Sequence, residues 1–405
     1  MLDDRTRRAA ADDVLSASSR PSRAAGSPRP SPAEGPDGAR TLLVVSASMG
    51  SGHDTVAAEL ARRARATGRR AHVVDVLELL PYGLGAGLRR SYRSWVRDTP
   101  WVYAGVYRAF LRPGRRPRPS GTPLARLASG RLLELVDATG ADVVVPVFHL
   151  AAQLTGHLRA RGALRVPSRV AVVDFAVHRQ WLHPGNDLHL CVSAPAAAEV
   201  RRATGRPAEA TGPVVDPAFT VAGPGAERWR RVCERRGRGR PAVLVSAGAW
   251  GVGSHLPATA RLLAADGFLP VVLCGANEAL RRRLAAEPGV LALGWVSDLP
   301  DLMHAARALV DNAAGQTAVQ ALAAGLPVVG YRPLPGHGAE GVRRMAALGV
   351  SEHAPDASAL SASLARLTAP GPERERRVAA GRALFRADAL TRVVHGVPAT
   401  KKLEP

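Results

Sequence analysis

The sequence holds no apolar run of the ~18 to 20 residues that crosses a bilayer, and its N-terminus lacks a signal-type apolar core. The expectation is a cytoplasmic chain. Cysteine is scarce: Cys191, Cys233 and Cys274 lie far apart, with neither metal-type nor redox-type spacing, so buried free thiols are expected. There is no Asp-x-Asp, which removes one kind of metal-bridged nucleotide-sugar site, and no metal or other cofactor is expected. A G-x-x-x-x-G-K-[ST] loop is missing, so ATP or GTP hydrolysis has no anchor. Neither glycine loop matches G-x-G-x-x-G with an acidic ribose partner. Aromatic residues make up only 4%, and the cores must be built from Ala, Val and Leu.

What is present fits a globular protein of two ordinary domains: 405 residues, 46% hydrophobic. The formal charge is +21, and its placement is uneven. Residues 1–40 hold seven Arg and six acids, without helical or strand period, and read as a disordered leader. Residues 82–131 hold eleven Arg, one acid (Asp98), four of the five Tyr and two of the six Trp. That mixture suits an anionic membrane surface, where basic side chains meet acidic head groups and Trp and Tyr settle at the interface. A solvated basic face is the competing reading. No nucleic-acid partner is expected, because no recognised binding module accompanies the charge.

Order begins at Thr41. Leu42–Val45 reads as a buried strand, Ser46 to His53 as a glycine loop, and Val56, Ala57, Leu60, Ala61 and Ala64 as one face of a helix. Further Val-rich runs separated by helical stretches argue for a parallel sheet covered on both faces. After the basic, glycine-punctuated stretch Arg230 to Arg240 the pattern restarts: Ala242–Val245 is a strand, and Ser246 to His255 loosely echoes the first glycine loop. The economical architecture is two doubly wound α/β domains in tandem. Its divisions are a leader (1–40), an N-terminal acceptor-side domain (41–228), a linker (229–240), a C-terminal nucleotide-sugar domain (241–370), and a final helix and tail (371–405).

In the second half, Asn312-Ala313-Ala314-Gly315-Gln316-Thr317 joins a strand to a helix. The free N–H groups at Gly315–Thr317 and the helix dipole suit a diphosphate without a metal, although an ordinary helix start has the same pattern. His53 closes the first glycine loop; alone, it reads as a capping or packing residue as readily as a base. Asp174 follows a strand at the edge of the sheet where ligands of doubly wound folds gather.

Ser46 to Asp54, Asp75 to Pro81, Asp174 to Pro184 and Gly212-Pro213-Val214-Val215 resemble the N-terminal domain of the monogalactosyldiacylglycerol synthase family. Gly294-Trp295-Val296, Gly315 to Pro327 and Tyr331 to Gly336 resemble its nucleotide-sugar domain. The resemblance spans roughly Thr41 to Leu367, in the family's order. It implies the GT-B fold, two Rossmann-like domains facing a cleft, and inverting transfer of a hexose from a UDP-sugar to a lipid hydroxyl such as that of diacylglycerol. His53 is then the general base, as imidazole, which titrates near neutrality, suits. Gly52, Asp174, His178 and Trp181 line the acceptor side. Gly248, Trp295, Val296, Gly315, Gln316, Thr317, Gln320, His337 and Glu340 hold the donor. Two positions depart from the family: Gln320 stands where Glu usually meets the ribose, and Gly341 where Asn commonly follows the acid. Transfer to a soluble natural product, or nucleotide-sugar binding without catalysis, are the alternatives. A cytoplasmic enzyme peripherally associated with the membrane is the expected setting.

Overall fold

The computed structural model describes residues 39–111, 122–253, 255–385 and 387–396. The expected leader lies outside these residues except for Ala39 and Arg40, and so does the end of the tail beyond Gly396.

Six strands build the N-terminal sheet: β1 (Thr41–Ser46), β2 (Arg70–Asp75), β3 (Val143–Pro146), β4 (Arg169–Val172), β5 (Leu188–Cys191) and β6 (Ala208–Ala210). All pairs are parallel, in the orders β2-β1-β3 and β4-β5-β6, and a bridge between Val144 and Ser168 joins the two groups. Every residue of β1 is buried, as a central strand covered on both faces requires. The C-terminal sheet has β7 (Ala242–Ser246), β8 (Leu269–Leu273), β9 (Leu291–Leu293), β10 (Ala308–Asp311), β11 (Val328–Tyr331) and β12 (Glu352–Ala354), ordered β12-β11-β10-β7-β8-β9. The order reverses between β7 and β10, and ligands of such folds bind at that switch point.

Helix α1 (Gly52–Ala66) buries the face expected from its sequence, Val56, Ala57, Leu60, Ala61 and Ala64, against β1 and β3. Helices α2 (Leu84–Arg97) and α3 (Pro100–Val106) form a basic, aromatic arm. Tyr92, Trp95, Val96 and Tyr103 of this arm pack on Trp250, Val252 and Leu334 of the C-terminal domain.

The expected linker at 229–240 is mostly helix. Residues Gly225–Gly237 form α4, whose Ala226, Cys233 and Gly237 are buried, while Trp229 Nε1 donates to Asp298 Oδ2 at 2.9 Å. An apolar stripe at 226, 229, 233 and 237 has helical spacing, hidden among arginines. The helix ends at Gly237, and Arg238 and Gly239, both with left-handed φ, turn the chain away.

In the C-terminal half, α5 (Gln316–Ala323) follows β10 and α6 (His337–Ala347) follows β11. Helix α7 (Pro372–Arg382) packs on α5, and α8 (Ala389–His395) returns to the N-terminal domain. There Ala389, Leu390, Val393 and Val394 complete the core beside α1, and Arg169 Nη1 donates to Val393 O at 2.7 Å. The three cysteines are free and buried as expected. Burial pushes the Cys191 thiol up to about 12 and those of Cys233 and Cys274 to about 11. No helix among the described residues is long and apolar enough to cross a membrane.

Candidate active site

The first glycine loop turns sharply at Gly50, whose φ of 114° lies in the region that favours glycine. Asp75, at the end of β2, pins it. One carboxylate oxygen accepts from Ser48 N at 3.1 Å and Arg89 Nη2 at 2.8 Å, and the other accepts from Leu77 N at 2.8 Å. The loop delivers His53 to the first turn of α1, where its Nδ1 lies 2.8 Å from Val147 O. A carbonyl can only accept, so Nδ1 carries a proton, and in the neutral ring Nε2 presents a lone pair. Phe148 meets the imidazole edge-on, with ring centres 4.9 Å apart.

Beside His53 opens a cavity of about 240 Å³. Its walls are mainly apolar and aromatic, with Tyr92, Trp95, Tyr103 and Phe148 from the N-terminal half. Polar groups are few: Asp174, His149, His178 and Gln180, and His337 from the C-terminal domain. Burial pushes His149 down to about 3 and His178 well below its ordinary value, so both rings are neutral. Asp174 accepts from Trp181 Nε1 at 2.8 Å and lies 3.5 Å from His178 Nε2. Trp181 itself is 0% exposed. The expected acceptor contact at Trp181 is therefore corrected: its ring is core, and it acts by holding the Asp174 carboxylate.

The residues expected on the donor side follow the ends of β7, β9, β10 and β11. Buried Asp311 accepts from Ala313 N at 3.0 Å and Ala314 N at 2.6 Å, folding the loop ahead of Gly315. Burial nevertheless raises the Asp311 pKa, outweighing those bonds. No side chain caps α5, so the backbone at Gly315, Gln316 and Thr317 is uncapped at the positive end of the helix. The Gln316 side chain instead crosses the cleft, its Nε2 donating to Val214 O at 3.0 Å. A Cβ placed on Gly52 would sit 3.5 Å from Gln316 Cβ, so the starts of α1 and α5 abut. Gln320 lies one turn further on, half-buried. Gly248 is exposed in the loop after β7, Trp295 is 57% exposed beyond β9, and Val296 packs on the core below.

His337 and Glu340, both expected on the donor side, are placed differently. His337 lines the cavity shared with His53 and is hydrogen-bonded to Tyr103. Glu340 does not line it; Arg343 holds its carboxylate, with Arg344 Nε at 3.3 Å. Burial raises the Glu340 pKa, but Arg343 and Arg344 pull it below the usual carboxylate range. Among the described residues no three His, Cys, Asp or Glu side chains group as a metal-binding set.

At the cleft, His53 thus stands on a loop that abuts the uncapped helix start of the opposite domain. Residues 53–215 match the family model for monogalactosyldiacylglycerol (MGDG) synthase. The matched segment begins at His53 and ends at Val215. Among curated relatives is a processive diacylglycerol beta-glucosyltransferase of Bacillus pumilus, 22% identical over 73% of this chain and 78% of that protein. The Bacillus mycoides enzyme of the same name is 26% identical over 73% and 77%. Among solved structures, Anabaena HepE in complex with UDP and glucose has a TM-score of 0.53 at 14% identity, covering 87% of this chain and 96% of that one. Acinetobacter baumannii MurG has a TM-score of 0.50 at 13% identity, covering 85% and 94%. The likeness to these solved structures shows the fold, GT-B.

Sequence reasoning missed Val147 and His149, and with them the aromatic wall. Both residues follow β3 at the carboxyl edge of the sheet, so the rule that singled out Asp174 applies equally to them. Tyr103 carried no signal beyond its aromatic neighbourhood.

Proposed function

We propose that this chain transfers a hexose from a UDP-sugar to a hydroxyl of diacylglycerol, with inversion and without a metal. The observation that carries this reading is the His53 imidazole: Nδ1 is committed to Val147 O, and Nε2 is left free beside an apolar cavity at the cleft. The acceptor hydroxyl gives its proton to Nε2. Its oxygen forms a bond to the anomeric carbon as the bond from that carbon to the diphosphate oxygen breaks on the opposite face. The departing UDP takes the electron pair and rests on the uncapped start of α5, whose N–H groups stabilise the growing charge. At 240 Å³ the cavity is below the ordinary range for a drug-sized ligand. It suits the glycerol head and the first methylenes, while the acyl chains stay in the bilayer.

The arm supports a peripheral membrane contact. Tyr82, Trp101 and Phe110 point outward, Tyr82 at 98% and Trp101 at 73% exposure, with Arg90 and Arg97 exposed nearby. Arg89 and Arg93 serve the fold instead, through Asp75 and a stack on Trp250. Arg90→Gln with Arg97→Gln should weaken co-sedimentation with phosphatidylglycerol vesicles and leave neutral vesicles unaffected; equal binding to both kinds of vesicle removes the membrane contact. The reaction is tested with UDP-glucose and UDP-galactose against diacylglycerol in vesicles and against soluble alcohols, by mass spectrometry of products. A hexosyl-diacylglycerol is expected. Product on soluble alcohols alone overturns the lipid reading.

A further inference from the structure

His149 opens the helix His149–Ala160, directly after β3, and lines the same cavity as His53. Its ring stands edge-on to His178, with centres 4.9 Å apart, and tilts against Phe148 at 4.1 Å. Neither of its nitrogens has a hydrogen-bond partner among the described residues, and neither is sealed in. The ring is neutral, held by burial at about 3, so it carries one N–H and one lone pair. The other polar groups on this wall are already directed. His53 Nδ1 donates to Val147 O, and in the neutral ring Nε2 keeps a lone pair. Asp174, when ionised, can only accept. Its carboxylate lies 3.5 Å from His178 Nε2 and draws the His178 proton there, which leaves a lone pair on the buried, unpartnered Nδ1. Gln180 Nε2 donates to Phe110 O at 2.9 Å. The free ring N–H on the N-terminal wall is therefore that of His149.

A diacylglycerol brings one hydroxyl and two ester carbonyls. Once the hydroxyl has turned its proton to His53 Nε2, what remains polar in the head can only accept. The carbonyl of the neighbouring ester is the strong acceptor nearest that hydroxyl. Between mainly apolar walls, a carbonyl and an N–H each cost free energy when left unmet, and each satisfies the other. We propose that His149 donates its N–H to an ester carbonyl of the acceptor while His53 holds the reacting hydroxyl, so that the cavity selects an ester-linked diglyceride over its ether-linked analogue. His149 is then an acceptor-binding residue, in a role that rests on the transferase reading. Two points of contact also orient the hydroxyl oxygen toward the anomeric carbon, which a single contact leaves free to swivel.

Initial rates with dioctanoylglycerol and with its dioctyl ether, in the same mixed micelles, test the selection. In the wild type the ether should raise the acceptor KM roughly tenfold, as an unmet buried donor costs, with less change in kcat. His149→Phe keeps a flat ring without the N–H; it should raise the KM of the ester to that of the ether, so that the preference disappears. His149→Gln, which keeps an N–H, should restore part of it. A wild type indifferent to ester and ether overturns the proposal, and so does a His149→Phe enzyme with the wild-type preference. A side chain that only packs would affect both acceptors alike. Nitrogen-15 NMR of histidine-labelled protein reads the contact without turnover: dioctanoylglycerol should shift the protonated nitrogen of His149, and the ether should not. Equal shifts, or none with the ester, overturn the contact. Absence of glycosylation of either acceptor, with the shift as stated, speaks against the transferase reading alone.

Discussion

The loops Ser46–His53 and Ser246–His255 begin alike, follow the first strand of a doubly wound sheet, and end on histidine, yet they arrive at different chemistry. His53 enters the first turn of α1 and finds the carbonyl of Val147, which sets its tautomer and aims its lone pair at the cavity. His255 stands before the helix Leu256–Ala265 with a left-handed φ of 57° and lines a separate hollow beside Arg97 and Arg261. The second loop turns its apolar residues, Trp250 and Val252, to the arm of the other domain. An echo in sequence fixes where a loop sits in the fold. Its chemistry is decided by the neighbouring strand end that receives the side chain.

The sharpest break in that comparison is kinetic. His53→Ala should lower kcat by about two to four orders of magnitude, the usual worth of a general base, with donor binding little changed. His255→Ala should stay within about twofold. Initial rates at saturating donor separate the two, and comparable losses would falsify the distinction between the loops.

The halves should also part under acid. His149 and His189 in the N-terminal half are held by burial at about 3 and about 4, and His178 is lowered as well. Their folded pKa values lie below the unfolded value near 6.5, so their contribution is whole above pH 6.5 and falls away as pH drops toward 4 and 3. Each group removes up to roughly 1 kcal/mol per pH unit once the unfolded chain is protonated. Between pH 6.5 and 5, hydrogen exchange should therefore quicken first in the N-terminal sheet. Uniform quickening across both sheets would contradict the assignment.

A smaller effect concerns the structural use of the second loop. Trp250→Ala removes the ring that meets Tyr92, with centres 5.8 Å apart, and Arg93 at 5.0 Å. Being partly buried, it should cost about 1 to 2 kcal/mol, below the range for a fully buried aromatic. The urea midpoint reports it, and an unchanged midpoint denies the loop its role as a brace. Smallest is Gln320→Glu, on the same donor side. A carboxylate makes the stronger hydrogen bond to a ribose hydroxyl, so UDP should bind about fivefold more tightly by calorimetry. Weaker binding would show that Gln320 does not face the ribose.

Much of the fold was legible because it is local. The buried face of α1, the Val-rich strands and the two glycine loops each follow from spacings within a dozen residues. The stretch Arg230–Arg240 misled because charge masked a stripe at Ala226, Trp229 and Cys233 that only helical periodicity reveals. The candidate site was legible in part, through His53, Asp174 and Gly315. Val147 lies 94 residues from His53, and Tyr103 lies 234 from His337, so their pairing is a product of topology. Trp181 was placed on the acceptor wall because the sequence shows an aromatic beside Asp174 without showing which way the ring turns. Gly212-Pro213-Val214-Val215 carried a resemblance without a reason. The structure supplies one: Val214 O receives Gln316, and Gly212 leaves room for the Leu384 carbonyl, which would lie 1.9 Å from any Cβ there.

Helix α8 has a consequence for the order of synthesis. Its Leu390 and Val393 belong to the core beside α1, and Val394 O receives the amide of Ala39, the first described residue, at 3.1 Å. On the ribosome, the N-terminal sheet emerges and collapses first. The groove for α8 then stays open while β7 to β12 are made. The first domain to appear is the last to be finished, and until residues 389–394 arrive it presents an apolar groove that chaperones, or another unfinished chain, can occupy.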